Sequence, residues 1–79
     1  MMAVSAYILI QTDVGRAADV TRTLRSIEGF NEANDVTGPY DVIAKATASS
    51  VDDLGRLVVS QLQRIDGVTR TVTCPIINL

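Results

Sequence analysis

Residues 37–41 read TGPYD, and they concentrate most of the side-chain chemistry this sequence offers. Gly and Pro with a polar neighbour are enough to reverse a chain. Tyr40 and Asp41 exceed that need. An ionised Asp41 can accept charge-assisted hydrogen bonds. Gly38 has no Cβ, so a ligand or another backbone can come close. Together these make the turn a candidate binding turn. A plainer reading stands beside this one. Gly38 and Pro39 then only form a turn, Asp41 stiffens it by accepting from backbone N–H groups, and Tyr40 anchors an interface.

The rest of the chain excludes several function classes. It contains no histidine, the commonest general base and metal ligand. Its single cysteine, Cys74, rules out an internal disulfide and has no imidazole to activate it. The strand-like context reads Cys74 as a small core residue. The segment TDVGR after the first apolar stretch lacks a Cys-x-x-Cys pair, so a metal-carrier role fails, and no cofactor or metal is expected. The cations Arg16, Arg22, Arg25, Lys45, Arg56, Arg64 and Arg70 are scattered, and the net charge is −2. Neutralising phosphates needs clustered cations, so no direct DNA binding is expected. The stretch AYILI is far too short to cross a bilayer, and no basic region precedes it. A non-enzymatic cytoplasmic protein is the expectation.

The elements that must position the turn follow from periodicity. At 79 residues the chain is one domain, 1–79, and its 47% hydrophobic content argues against disorder. Residues 3–11 read as a strand. Asp13 is placed to cap a helix over 16–28, whose stripe is Ala17, Val20, Leu24 and Ile27 and whose end is Gly29. Segments 30–36 and 42–48 flank the turn as a hairpin. Ser50 with Asp53 resembles a capping box for a second helix with the stripe Val51, Leu54, Val58, Leu62 and Ile65, closed by Gly67. Residues 68–77 make a last strand. The order β-α-β-β-α-β predicts an α+β ferredoxin-like sandwich: a four-stranded antiparallel sheet, strands one and three central, both helices on one face.

Alternation along the strands assigns Val4, Ala6, Ile8, Ile10, Val42, Ala44, Ala46 and Ala48 to the helices. Tyr7, Leu9, Ile43, Lys45 and Thr47 go to the open face. Parity breaks in the last strand, where Arg70 falls with Val68 and Val72; a bulge or a short exposed strand start would mend it. Burying Leu9 and Ile43 against a partner would contribute about 1.5–3 kcal/mol each. That is a large fraction of so small a domain's stability. A homodimer through the face carrying Tyr7, Leu9 and Ile43 is therefore expected. An RNA-recognition module has the same element order but needs exposed aromatics on its third strand, which DVIAKATA lacks.

With the element order in place, VTGPYDV (36–42) and IDGVTRTVT (65–73) together resemble the ligand-binding domain of the Lrp/AsnC family of transcription regulators, also called the regulation-of-amino-acid-metabolism domain. Val36, Gly38, Tyr40 and Asp41 match the family's turn; Gly67, Val68, Arg70, Thr71 and Thr73 match its last strand. The resemblance covers essentially the whole chain. It implies sheet-stacked dimers gathered into octamer-like or larger rings. It also implies an amino-acid effector held between dimers, with Gly38, Pro39, Tyr40, Asp41, Thr71 and Thr73 as the ligand residues. Thr71 and Thr73 are equally good plain strand residues. Two departures stand out. The chain begins at strand one with no helix-turn-helix before it, as a stand-alone form that can assemble with full-length regulators. Pro75 removes a ladder donor where the family places a strand former, which predicts a sheet edge or a bulge. Competing readings are an ACT-like amino-acid module using Asp13 and Gly15 of TDVGRAADV, a purely structural assembly module, and a small sheet-dimerising enzyme. The last is disfavoured by the lack of His and Trp.

Overall fold

A computed structural model describes residues 3–77. Four strands and two helices follow one another as β1 (Val4–Thr12), α1 (Ala17–Arg25), β2 (Phe30–Asp35), β3 (Val42–Ala48), α2 (Val51–Leu57) and β4 (Val68–Pro75). A single π-helical turn, Val58–Leu62, continues α2. The strands form one sheet in the order β2-β3-β1-β4, with every neighbouring pair antiparallel. This is the ferredoxin-like arrangement, with β1 and β3 central.

The core lies between the sheet and the helices. Ala6, Ile8, Ile10, Val42, Ala44 and Ala46 are buried on the helix-facing side, where Val20, Leu24, Leu54, Val58 and Leu62 meet them. The alanines of β3 let the helices sit low on the sheet, and Phe30 and Ala33 of β2 close one end. Strand alternation thus sorts the apolar residues as the sequence pattern required.

Several local expectations are corrected. Asp13 does not cap α1: Arg16 occupies the N-cap position with no side-chain bond, and Asp13 contributes only its carbonyl, which accepts from Arg16 N at 3.0 Å. Asp13 lies three residues ahead of the cap, beyond the reach of a short side chain. The helix ends at Arg25, and Ile27 packs on the core from the turn that follows. The cap of α2 forms as expected, with Ser50 Oγ accepting from Asp53 N at 3.1 Å. Val51, however, is 64% exposed. As the first helical residue it lacks the flanking turn that closes the stripe over interior positions, so burial starts at Leu54. The π turn beyond Leu57 was invisible to a 3.6-residue pattern.

The parity break in the last strand has a concrete cause. Gln11 opposes Arg70 while Thr12 opposes Val68, leaving Thr69 as an extra residue in the β1–β4 ladder. This bulge turns Val68 toward the helix layer and puts Arg70, Val72 and Cys74 on the open face, opposite Gln11, Leu9 and Tyr7. Cys74 is consequently exposed and is not the core residue its strand context suggested. Pro75 ends β4, an edge strand, where its missing N–H costs least.

The open face carries Tyr7, Leu9, Ile43, Lys45 and Thr47, as alternation predicted. Tyr7 is 45% exposed, while Leu9 and Ile43 are half-buried. Glu32 opposes Lys45 across β2 and β3. A shallow depression of about 220 Å³ runs between Tyr7, Asn34, Val36 and Ile43.

Candidate ligand site at the hairpin tip

The β2–β3 turn is tied to the end of β1 by its acidic residue. Asp41 Oδ2 accepts from the Thr12 backbone N–H at 2.8 Å, and the Thr12 hydroxyl lies 3.4 Å from the same oxygen. The Asp41 backbone N–H donates to Ile10 O at 2.9 Å, and its carbonyl accepts from Val36 N at 2.9 Å. The side chain therefore stands in for a missing ladder acceptor at the point where β1 outruns β3. One carboxylate oxygen does this work. The other, Oδ1, accepts no hydrogen bond among the described residues. Gln11 adds a second tie, its Nε2 donating to Pro39 O at 3.1 Å.

The tip itself is open. Gly38 has φ of 122°, a region that L side chains rarely adopt, and nothing lies within 4 Å of where a Cβ would stand. Pro39 is exposed and Tyr40 half-buried. Thr71 and Thr73 are not gathered with the turn. They lie on β4, across β1 from it, opposite Ile10 and Ile8 and therefore on the helix-facing side. Thr71 is half-buried beside Gln63 Nε2 at 3.4 Å, within a hollow of about 210 Å³; Thr73 is exposed. Within one chain the turn and the two threonines are separate features.

Other polar contacts hold the frame. Arg16 Nη2 reaches Asp66 Oδ2 at 3.2 Å, tying the start of α1 to the loop before β4. The bond that Arg16 donates to Asp66, and the charge of that carboxylate, hold the Arg16 guanidinium protonated beyond its ordinary range. Asp13 N donates to Gly67 O at 2.8 Å, so the loop of Asp13 and Gly15 packs on the same junction. The Thr21 hydroxyl donates to Asp35, and Arg25 donates twice to Ala33 O, fastening α1 to β2. Sequence reasoning missed these ties because nothing in local spacing marks partners brought together by the sheet. Among the described residues no group of His, Cys, Asp or Glu is placed to hold a metal, and no helix is long and apolar enough to cross a membrane.

The family model described as the Lrp/AsnC ligand binding domain matches residues 5–78. The chain belongs to the Lrp/AsnC ligand-binding domain family. It is 33% identical over 75 residues to an uncharacterized HTH-type transcriptional regulator of Pyrococcus horikoshii, covering 91% of this chain and 50% of that protein. A similar regulator of Pyrococcus abyssi is 32% identical with the same coverage. The chain thus spans about half the length of these regulators. Among solved structures, FFRP-DM1 superposes with a TM-score of 0.89 at 28% identity, covering 94% of this chain and 99% of that one. Escherichia coli AsnC superposes with a TM-score of 0.89 at 25% identity, covering 96% of this chain and 52% of AsnC. A Neisseria meningitidis transcriptional regulator solved as an L-Met complex shares the fold, with a TM-score of 0.84 at 16% identity over 95% of this chain and 50% of that one. In this Lrp/AsnC domain, the hairpin tip combines an open surface at Gly38 with one Asp41 carboxylate oxygen that accepts no hydrogen bond among the described residues.

Proposed function

We propose that this chain is an effector-sensing and oligomerisation domain that binds a free amino acid at the tip of the β2–β3 hairpin. The observation that carries the reading is the division of labour within Asp41. One carboxylate oxygen fixes the turn to Thr12 and the other stays available to an ammonium group. Gly38 leaves the approach open. Membership of a ligand-binding family and the L-Met bound by a fold relative support the ligand class.

In this reading Gly38, Pro39, Tyr40 and Asp41 of one dimer face Thr71 and Thr73 of another, which accounts for their separation within a single chain. Dimers form through the open face of Tyr7, Leu9 and Ile43 and gather into rings of octamer type or larger. The domain acts in the cytoplasm as an effector-binding unit, with no enzymatic activity or DNA-binding surface in these residues, and assembles with full-length regulators of its family. Calorimetric titration with the twenty common amino acids, paired with sedimentation velocity at micromolar protein, tests the proposal. Selective binding by an assembly larger than 8.5 kDa is the expected result. Binding of none of the twenty would overturn the sensing role, and an unassociated chain would overturn the oligomeric one.

A further inference from the structure

Two backbone irregularities, one in the helix layer and one in the sheet, border the same hollow. The π turn Val58–Leu62 closes with Gln63 N donating to Val58 O at 3.0 Å, and so sets the direction of Gln63, its C-cap. The bulge at Thr69 interrupts β4. Between them lies the hollow of about 210 Å³ lined by Gln63, Val68, Thr69, Arg70 and Thr71. Such turns and bulges both give up regular hydrogen bonding, and both gather at functional sites. Gln63 Nε2 lies 3.4 Å from Thr71 Oγ1, longer than the ordinary ~2.9–3.0 Å, and Gln63 Oε1 accepts no hydrogen bond among the described residues. The hollow therefore presents an amide and a hydroxyl, neutral groups that can each donate and accept. Arg70 sends its side chain to the open face, whereas Gln63 and Thr71 meet on the helix-facing side of the edge strand β4. Their contact stays uncovered when two open faces stack.

We propose that Gln63 is a specificity-determining residue of the effector site, hydrogen-bonding a polar, uncharged side chain of the bound amino acid. The proposal rests on the amino-acid reading above, in which Asp41 at the hairpin tip of one dimer holds the ammonium group and Thr71 of another dimer faces it. A ligand held there by its ammonium group extends toward Thr71, and Gln63 is the side chain that borders Thr71 from the helix layer. An amide or hydroxyl on the ligand can satisfy Gln63 Oε1 and the Thr71 O–H together. An apolar side chain of the same shape leaves both without partners once the second dimer closes over them. A site built to hydrogen-bond a ligand group rejects the isostere lacking that group far more strongly than an apolar pocket rejects an added hydroxyl.

The test compares shape-matched pairs of L-amino acids, asparagine with leucine, glutamine with methionine and threonine with valine, by calorimetry on wild type, Gln63→Met and Gln63→Glu. Wild type is expected to bind the polar member of at least one pair about 10-fold more tightly than its apolar match. Gln63→Met is expected to lose that preference with its melting temperature unchanged, since the side chain it replaces is exposed in the single chain. Gln63→Glu keeps acceptor oxygens and is expected to retain part of the preference for an amide ligand, whose N–H groups it still accepts from. A wild type that does not favour the polar members, or a folded Gln63→Met that keeps the preference in full, would overturn the role of Gln63. Weakened binding by Asp41→Asn in the same series would then leave the hairpin site standing. A wild type that binds no amino acid would overturn both.

Discussion

In the proposed site Asp41 has a separate role for each of its two oxygens, and a substitution can separate them. In Asp41→Asn a carbonyl oxygen remains to accept from the Thr12 N–H, now 2.8 Å from Oδ2, while the charge is lost. Amino-acid binding is expected to weaken by about 1.5–3 kcal/mol, the range for a hydrogen bond to a charged partner. The melting temperature should move far less. Titration and a thermal melt on the same sample check both. Equal affinity in wild type and variant would leave Asp41 as a turn residue only, and a large fall in melting temperature would make it chiefly a clamp.

Helix α2 offers two tests at the scale of an element. Its N-terminus depends on Ser50 Oγ accepting from Asp53 N at 3.1 Å, so Ser50→Ala is expected to cost about 1 kcal/mol in denaturant unfolding. Asp53 is itself held below its ordinary carboxyl value of 3.8, first by the Ser49 hydroxyl and then, against the cost of burial, by Ser50 and Arg56. A folded-state value depressed below the unfolded one contributes stability that is complete above the unfolded value and is lost as pH falls through the folded one. The advantage of wild type over Asp53→Asn in thermal melts should therefore hold at neutral pH and shrink below about 3.8. Gly55 gives the opposite sign. It is helical, and nothing lies within 4 Å of where a Cβ would stand. Replacing it with alanine removes backbone freedom from the unfolded chain and is expected to stabilise the domain by about 1 kcal/mol. A loss of stability in Gly55→Ala would show that another surface uses that space.

At the scale of the whole molecule, the open sheet face is the surface to probe. Tyr7, Leu9 and Ile43 lie on it with Cys74 beside Tyr7. Leu9→Glu puts a charge at its centre and is expected to reduce the sedimenting species to the single chain, with loss of melting temperature. Cys74 supplies an independent readout without mutation. Its thiol is exposed in the single chain, so a thiol reagent should react rapidly with dilute protein and slowly once a partner sheet covers it. Reaction at the same rate across protein concentrations that change the sedimenting species would place the interface elsewhere.

The order of elements, the apolar side of β1 and β3, the Ser50 cap and the hairpin at TGPYD were all legible in the sequence. Each depends on spacing within one segment, and one segment's spacing is set by its own backbone geometry. The motifs of the turn and last strand also pointed to the Lrp/AsnC family, since both are contiguous runs of residues. The rest required the sheet to assemble. Thr69 becomes a bulge only because β4 must register against β1, and that pairing moves Cys74 out of the core and Arg70 onto the open face. Likewise, the Asp41 carboxylate finds the Thr12 amide only when β3 and β1 lie side by side, 29 residues apart in the chain. Val51 fits its helix's apolar stripe yet ends up exposed, because burial depends on what lies opposite as well as on periodicity. Local backbone preferences fixed which residues could form each element. Only hydrogen-bonded register between distant segments decided which charged groups would share one end of the sheet.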